Sequence, residues 1–227
     1  MALSPAEWTA VLLSLRVGAV ATLVTLPLAY GAAYALARGR FPGRWLLDVA
    51  VHLPLVLPPV VTGYLLLIAF GRDGVLGEAL GALGLSVMFR WTGAAIAAGV
   101  MALPLMVRAM RLSIEAVDRR LEEAARTLGH SPRGTFWRVT LPLSLPGVLA
   151  GAVLGFAKAL GEFGATITFV SSIPGETQTL PLAIYGLLQT PGGEDAVVRL
   201  ALVAIGLSVG ALLLSEWLAR RAGRRLA

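Results

Sequence analysis

The chain has 227 residues, of which 57% are hydrophobic and 14% charged, with no cysteine and a formal net charge of +6. A soluble domain carries roughly 25% charged residues, so this chain is short of the charge needed to cover a water-exposed surface. The missing cysteines exclude disulfides, thiolate metal sites and cysteine nucleophiles. With a mean hydropathy of +0.79, the composition reads as an all-α integral membrane protein. A single domain over 10–218 with about five spans is expected, and no added soluble domain. The opening MALSPAEW lacks a basic n-region, and the apolar run after it is too long for an h-region, so no cleavage is expected.

The first span is expected over Val11–Ala37, about 40 Å at ~1.5 Å per residue, with Pro27 as a kink and Arg16 snorkelling near the outer end. A basic turn follows, from Arg38 to Arg44. The second span, Leu46–Phe70, contains His52, Pro54, Pro58 and Pro59 and cannot be one regular helix. Broken backbone at membrane depth survives only when buried in protein or lining a cavity. His52 reads as a packing or interfacial residue. Gly71–Trp91 is a glycine-rich polar stretch with room for a short surface helix. The third span is Thr92–Met110, the fourth Ser144–Val170 and the fifth Ala196–Leu218, with a long loop at Ser171–Asp195 and four closing arginines, Arg220, Arg221, Arg224 and Arg225.

Between the third and fourth spans, 111–143 forms a basic amphipathic interruption. Ile114, Val117, Leu121, Ala125 and Leu128 fall at helical spacing on one face, with Glu115–Arg119 and Glu122–Arg126 as i,i+4 pairs on the other. Gly129 stands where a left-handed C′ residue ends a helix, Ser131-Pro132 restarts one as N-cap and N1, and Leu141-Pro142 stops it. The expected shape is a helix–Gly–helix elbow. With the N-terminus outside, fourteen arginines fall on the inner side of five spans against three on the outer side. That bias puts the elbow and the C-terminus in the cytoplasm and accounts for the high pI without nucleic acid. A sixth span would reverse the C-terminal arginines.

The elbow resembles the cytoplasmic coupling loop of ABC-importer permeases, whose pattern is E-A-A, three residues, G, nine residues, I, one residue, L-P. Glu123-Ala124-Ala125, Gly129 and Leu141-Pro142 occupy those places, with Val139 where the pattern has isoleucine. The segments GEFGATITF, SSIPGETQTLPLAIYGLLQTPGGE and HLPLVLPPVVTGYLLL are similar to those of molybdate ABC-transporter permeases, over essentially the whole chain. Sulfate and tungstate permeases share these looser segments in part. The resemblance implies a type I importer bundle in the bacterial plasma (inner) membrane that works by alternating access. The implied partners are a second copy of itself, two ABC ATPase subunits carrying ATP and Mg, and a periplasmic or extracellular oxyanion-binding protein. Glu122, Glu123 and Arg126 are the implied polar docking contacts, Ala124 and Ala125 the close-approach residues and Gly129 the turn.

The remaining chemistry is sparse. No G-x-x-x-x-G-K-[ST] loop and no H-E-x-x-H occur, and His52 and His130 lie far apart with no acidic cluster. No cofactor or metal on this chain, and no catalysis by it, is therefore expected. Lys158 and Glu162, four residues apart, share a helix face with Thr166 and Thr168. They either line a substrate route, for which Pro58 and Pro59 are further candidates, or make a neutralised contact between helices. Gly161 and Gly164 would permit close helix approach. A secondary transporter would call for matched broken segments in two inverted halves, and the proline-rich second span has no such partner. An intramembrane Ser–Lys enzyme lacks a serine on the face of Lys158.

Overall fold

The computed structural model describes residues 3–223, and Arg224 and Arg225 lie outside them. Helix α1 spans Pro5–Arg38, opened by a capping box. The Ser4 hydroxyl accepts from the Glu7 amide at 3.3 Å, and Glu7 Oε2 accepts from the Ser4 amide at 2.5 Å. Two N-terminal amides, unsatisfied by the helix itself, are thereby satisfied. The helix continues through Pro27 without interruption.

Helices α2 (Arg44–Val56) and α3 (Pro59–Phe70) are bent by 117° at Leu57-Pro58. Pro58 and Pro59 offer no N–H, and the residue preceding a proline is driven to extended backbone; Leu57 has φ −68° and ψ 143°. Val51 of α2 packs with Ala33, Leu36 and Met110 at one end of the bundle. Leu66, Leu67 and Phe70 of α3 pack with Val17, Ala98 and Phe169 at the other. Helix α4 (Val75–Ala82) buries nothing.

Helix α5 (Trp91–Ala116) is the centre of the fold, lined by Ala94, Ala95, Ala97, Ala98 and Ala102. Small side chains let helices approach closely where lipid supplies no hydrophobic push. After α6 (Arg119–Thr127) and the short α7 (Pro132–Thr135), a π turn, Phe136–Thr140, leads into α8 (Leu141–Leu160). α1, α5 and α8 pack against one another. Gly147, Gly151 and Gly155 face α5, where a Cβ would lie 2.1 Å from Ser113 Cβ, 3.0 Å from Met110 Cε and 2.5 Å from Met106 Sδ respectively.

Helix α9 (Gly164–Val170) crosses α3, α10 (Leu180–Leu188) closes the end near the start of α1, and α11 (Glu194–Gly223) lies along α8. α1, α5, the continuous stretch Pro132–Leu160 and α11 are long and apolar enough to cross a membrane; the bent α2–α3 pair makes a fifth if counted as one span. Leu23, Leu28, Leu202, Ile205 and Leu213 are all more than half exposed. This is an integral membrane protein, with its apolar side chains facing a lipid solvent.

Three expectations need correction. The fourth span is not continuous from Ser144 to Val170, because Gly161–Phe163 interrupts it. The long loop at Ser171–Asp195 contains α10, whose Leu180, Leu182 and Ala183 are buried. Leu141-Pro142 do not stop a helix: the chain runs through them from the π turn into α8, and Pro142, which has no N–H, falls where the five-residue bonding of that turn gives way to α-helix.

Candidate coupling elbow and translocation path

The elbow differs from one amphipathic helix over Ser113–Leu128. The chain breaks at Val117, extended at φ −68° and ψ 120°, and Asp118 then caps α6 by accepting from the Arg120 amide at 2.9 Å. A capping aspartate favours a new helix start over continuation. The break turns α6 so that Glu122 and Ala125 face the bundle, while Leu121 and Leu128 are exposed. Glu115 pairs with Arg111 at 2.8 Å rather than with Arg119.

Glu122 is buried. Its Oε1 accepts from the Thr140 hydroxyl at 2.8 Å and lies 3.3 Å from Arg38 Nε, an ion pair without hydrogen-bond alignment. Arg38 Nη2 donates to the Val117 carbonyl at 2.7 Å. Glu123, Ala124 and Arg126 are on the exposed face. A cavity of about 390 Å³ between α6 and the end of α1 is lined by Arg38, Phe41, Arg119, Glu122, Glu123 and Arg126, among others.

Gly129 has φ +89°. Its amide donates to Arg126 O at 3.0 Å, and that of His130 to Ala125 O at 3.1 Å. These 5→2 and 6→1 bonds close a Schellman turn, which needs a left-handed residue at that point. Ser131 then accepts from the Gly134 amide at 3.1 Å, with Pro132 at N1. In the π turn the Leu141 amide bonds Phe136 O, five residues back. That extra residue keeps both Thr135 and Thr140 buried despite a spacing of five. Phe136 sits edge-on to Tyr34 of α1, with centroids 5.2 Å apart.

The second candidate set gathers at the α8–α9 break. Lys158 Nζ bonds Glu162 Oε2, and Glu162 Oε1 accepts from the Ala165 amide at 3.0 Å. Glu162 is buried, so one carboxylate both neutralises Lys158 and ties down the start of α9. Thr166 is buried, and Thr168 donates to Gly164 O at 2.9 Å. Pro58 and Pro59 are exposed at the α2–α3 bend. A Cβ on Gly164 would meet Pro59 Cβ at 2.7 Å, and one on Gly63 would meet Ala165 O at 2.5 Å. The fold therefore brings two segments remote in sequence together at the α3–α9 crossing. Gly161 takes no part in it, with no foreign atom nearer than 3.9 Å. Among the described residues no cluster could hold a metal ion.

Residues 25–225 match the family described as binding-protein-dependent transport system inner membrane component. The chain belongs to that family. This inner membrane transport component is 57% identical over 229 residues to the molybdenum transport system permease protein ModB of Escherichia coli K12, covering 99% of this chain and 100% of the relative. It is 58% identical to ModB of Haemophilus influenzae, covering 97% and 96%. Similarity to the sulfate transport system permease protein CysW of Synechococcus elongatus is lower, 38% over 95% of this chain and 75% of the relative. A bacterial alginate ABC transporter bound to its alginate-loaded periplasmic protein shares the fold at TM-score 0.73 and 18% identity, covering 98% and 80%. So does the MetNI methionine ABC transporter, at 0.69 and 16%, covering 95% and 94%.

Several connections of this transport component escape sequence patterning. Arg38 reads as an ordinary basic flank until Glu122 is seen beside it. Arg199 Nε and Nη2 both donate to Glu7 Oε1, at 3.2 and 2.8 Å, joining the start of α11 to that of α1. Arg16 does not simply reach for water: its guanidinium lies 3.7 Å from the centroid of the Trp91 ring. His52 sits beside Asp48, which also pairs with Arg111 at 3.3 Å. The glycine row 147, 151, 155 was available in the sequence as a repeated small-xxx-small pattern.

Proposed function

We propose that this chain is the membrane-spanning subunit of an ATP-driven molybdate importer, working as a homodimer with two ABC ATPase subunits and an oxyanion-binding protein outside the membrane. The observation that carries the reading is the polarity of α6. A strongly charged helix buries a glutamate and presents Leu121 and Leu128 to the surroundings, with Trp137 exposed nearby. Exposed apolar side chains on a charged elbow, away from the lipid-facing spans, suit a protein groove. Full-length similarity to molybdenum permeases supplies the substrate.

In this reading the N-terminus is outside, the elbow and C-terminus are cytoplasmic, and ATP and Mg are held by the partner ATPase. Closure of the ATPases moves α6 through contacts at Glu123, Ala124 and Arg126 on its exposed face, with Ala125 letting the helix lie close on its own bundle and Gly129 setting the angle at which it is presented. Leu141-Pro142 pass the motion into α8. The anion crosses between two copies of the bundle, past the α3–α9 crossing where Pro58, Pro59, Lys158, Glu162, Thr166 and Thr168 converge. Arginines are absent from the middle of the apolar helices, which suits a path with no strong site and leaves selection to the binding protein.

The test is reconstitution in liposomes with the ATPase and the binding protein, comparing uptake of molybdate, tungstate and sulfate. Molybdate uptake requiring all three components is expected. Preference for sulfate would overturn the substrate, and uptake without the ATPase would overturn the mechanism.

A further inference from the structure

We propose that Arg38, Glu122 and Thr140 form the joint through which movement of α6 reaches the three long core helices together. This rests on the reading of α6 as the docking helix for the ATPase. The covalent links at its two ends are poorly suited to that task. One is the extended pair Val117-Asp118, and the other is the left-handed Gly129, around which no side chain packs. Each is a non-helical link at which a pulled helix can pivot.

The non-covalent joint bypasses both pivots. Among the described residues, Glu122 is the one side chain of α6 that is hydrogen-bonded or ion-paired to another element. Its Oε1 reaches Thr140, at the foot of α8, and faces Arg38, the last residue of α1. Arg38 in turn holds the carbonyl of Val117, at the end of α5. A single buried carboxylate is thus tied, directly or through one guanidinium, to the inward ends of α1, α5 and α8. The π turn belongs to the same device, because it rotates Thr140 inward to meet Glu122. Arg38 and Thr140 are positioning residues: they act through Glu122 and touch neither nucleotide nor anion.

The experiment measures anion imported per ATP hydrolysed in reconstituted complexes, so that loss of folded complex does not move the readout. Thr140→Val removes one hydroxyl, and Thr140→Ser keeps it. Val is expected to lower the ratio about tenfold, the factor that loss of one hydrogen bond to a charged group corresponds to, and Ser to keep it within about twofold. Arg38→Met combined with Glu122→Leu leaves no charge unpaired and so favours folding; its assembled complexes should show the same low ratio. A ratio equal to the unaltered chain in Thr140→Val or in the double variant overturns the joint, as does an equal fall for Val and Ser. Import by the unaltered chain without ATPase would instead overturn the docking reading, and the joint with it.

Discussion

The turn at Gly129 permits a graded test, because conformation and packing separate cleanly there. A Cβ added at this position meets no heavy atom within 4 Å, so a substitution costs only what the left-handed backbone at φ +89° imposes. Asparagine tolerates that region, alanine loses about 1 kcal/mol, and a β-branched valine about 2–3 kcal/mol. Two kcal/mol shifts the balance between closed and opened turn about 30-fold. The opened turn gives up the bonds from Gly129 to Arg126 and from His130 to Ala125, and with them the angle between α6 and α7. ATP hydrolysis stimulated by loaded binding protein should therefore fall in the order Gly, Asn, Ala, Val. Thermal unfolding of the solubilised bundle should barely move, since the strain is relieved by opening this exposed turn locally, without unpacking the helices of the core. Valine with full stimulation would refute the argument, and so would asparagine as damaging as valine.

Other expectations follow from the packing. Gly147→Ala should lower the stability of the solubilised protein by about 1–3 kcal/mol, since its Cβ would fall 2.1 Å from Ser113 Cβ; Ser113→Gly should restore part of the loss in a thermal-unfolding assay. Arg199→Met should cost about 2 kcal/mol through the charged hydrogen bonds to Glu7, and a double-mutant cycle with Glu7→Gln should return a coupling of similar size. Gly63→Ala drives a methyl to 2.5 Å from Ala165 O. It should reduce anion uptake at unchanged membrane insertion if the α3–α9 crossing lines the path; equal loss of both would make the crossing merely structural. Lys158→Met strands the buried Glu162 carboxylate, and Glu162→Gln in the same chain should recover folded protein as judged by gel filtration.

What could be read from the chain was set by local rules. Gly129 and Ser131-Pro132 take their places because C′ and N-cap preferences act over a few residues. The bend near Pro58-Pro59 follows from two missing amides. The break at Val117-Asp118 was hidden by an apolar spacing that ran on through it, although Asp118 carried the competing N-cap signal. Similarly, Glu162 looked like half of an i,i+4 pair on one helix, whereas its second oxygen holds the start of another. Arg38 and Glu122 meet only once α1 and α6 are packed. No periodicity within either segment encodes that meeting.

The five-residue π turn also constrains how this chain can be re-engineered. An α-helix advances about 100° per residue, so deleting Val139 to regularise Phe136–Thr140 would swing everything before it by roughly that angle relative to α8. The elbow and the span are locked in phase by one surplus residue. A chimera that borrows another permease's elbow must carry its segment through Thr140 intact. A splice made inside the turn would leave the transplanted helix pointing sideways, however well its own surface matched the new partner.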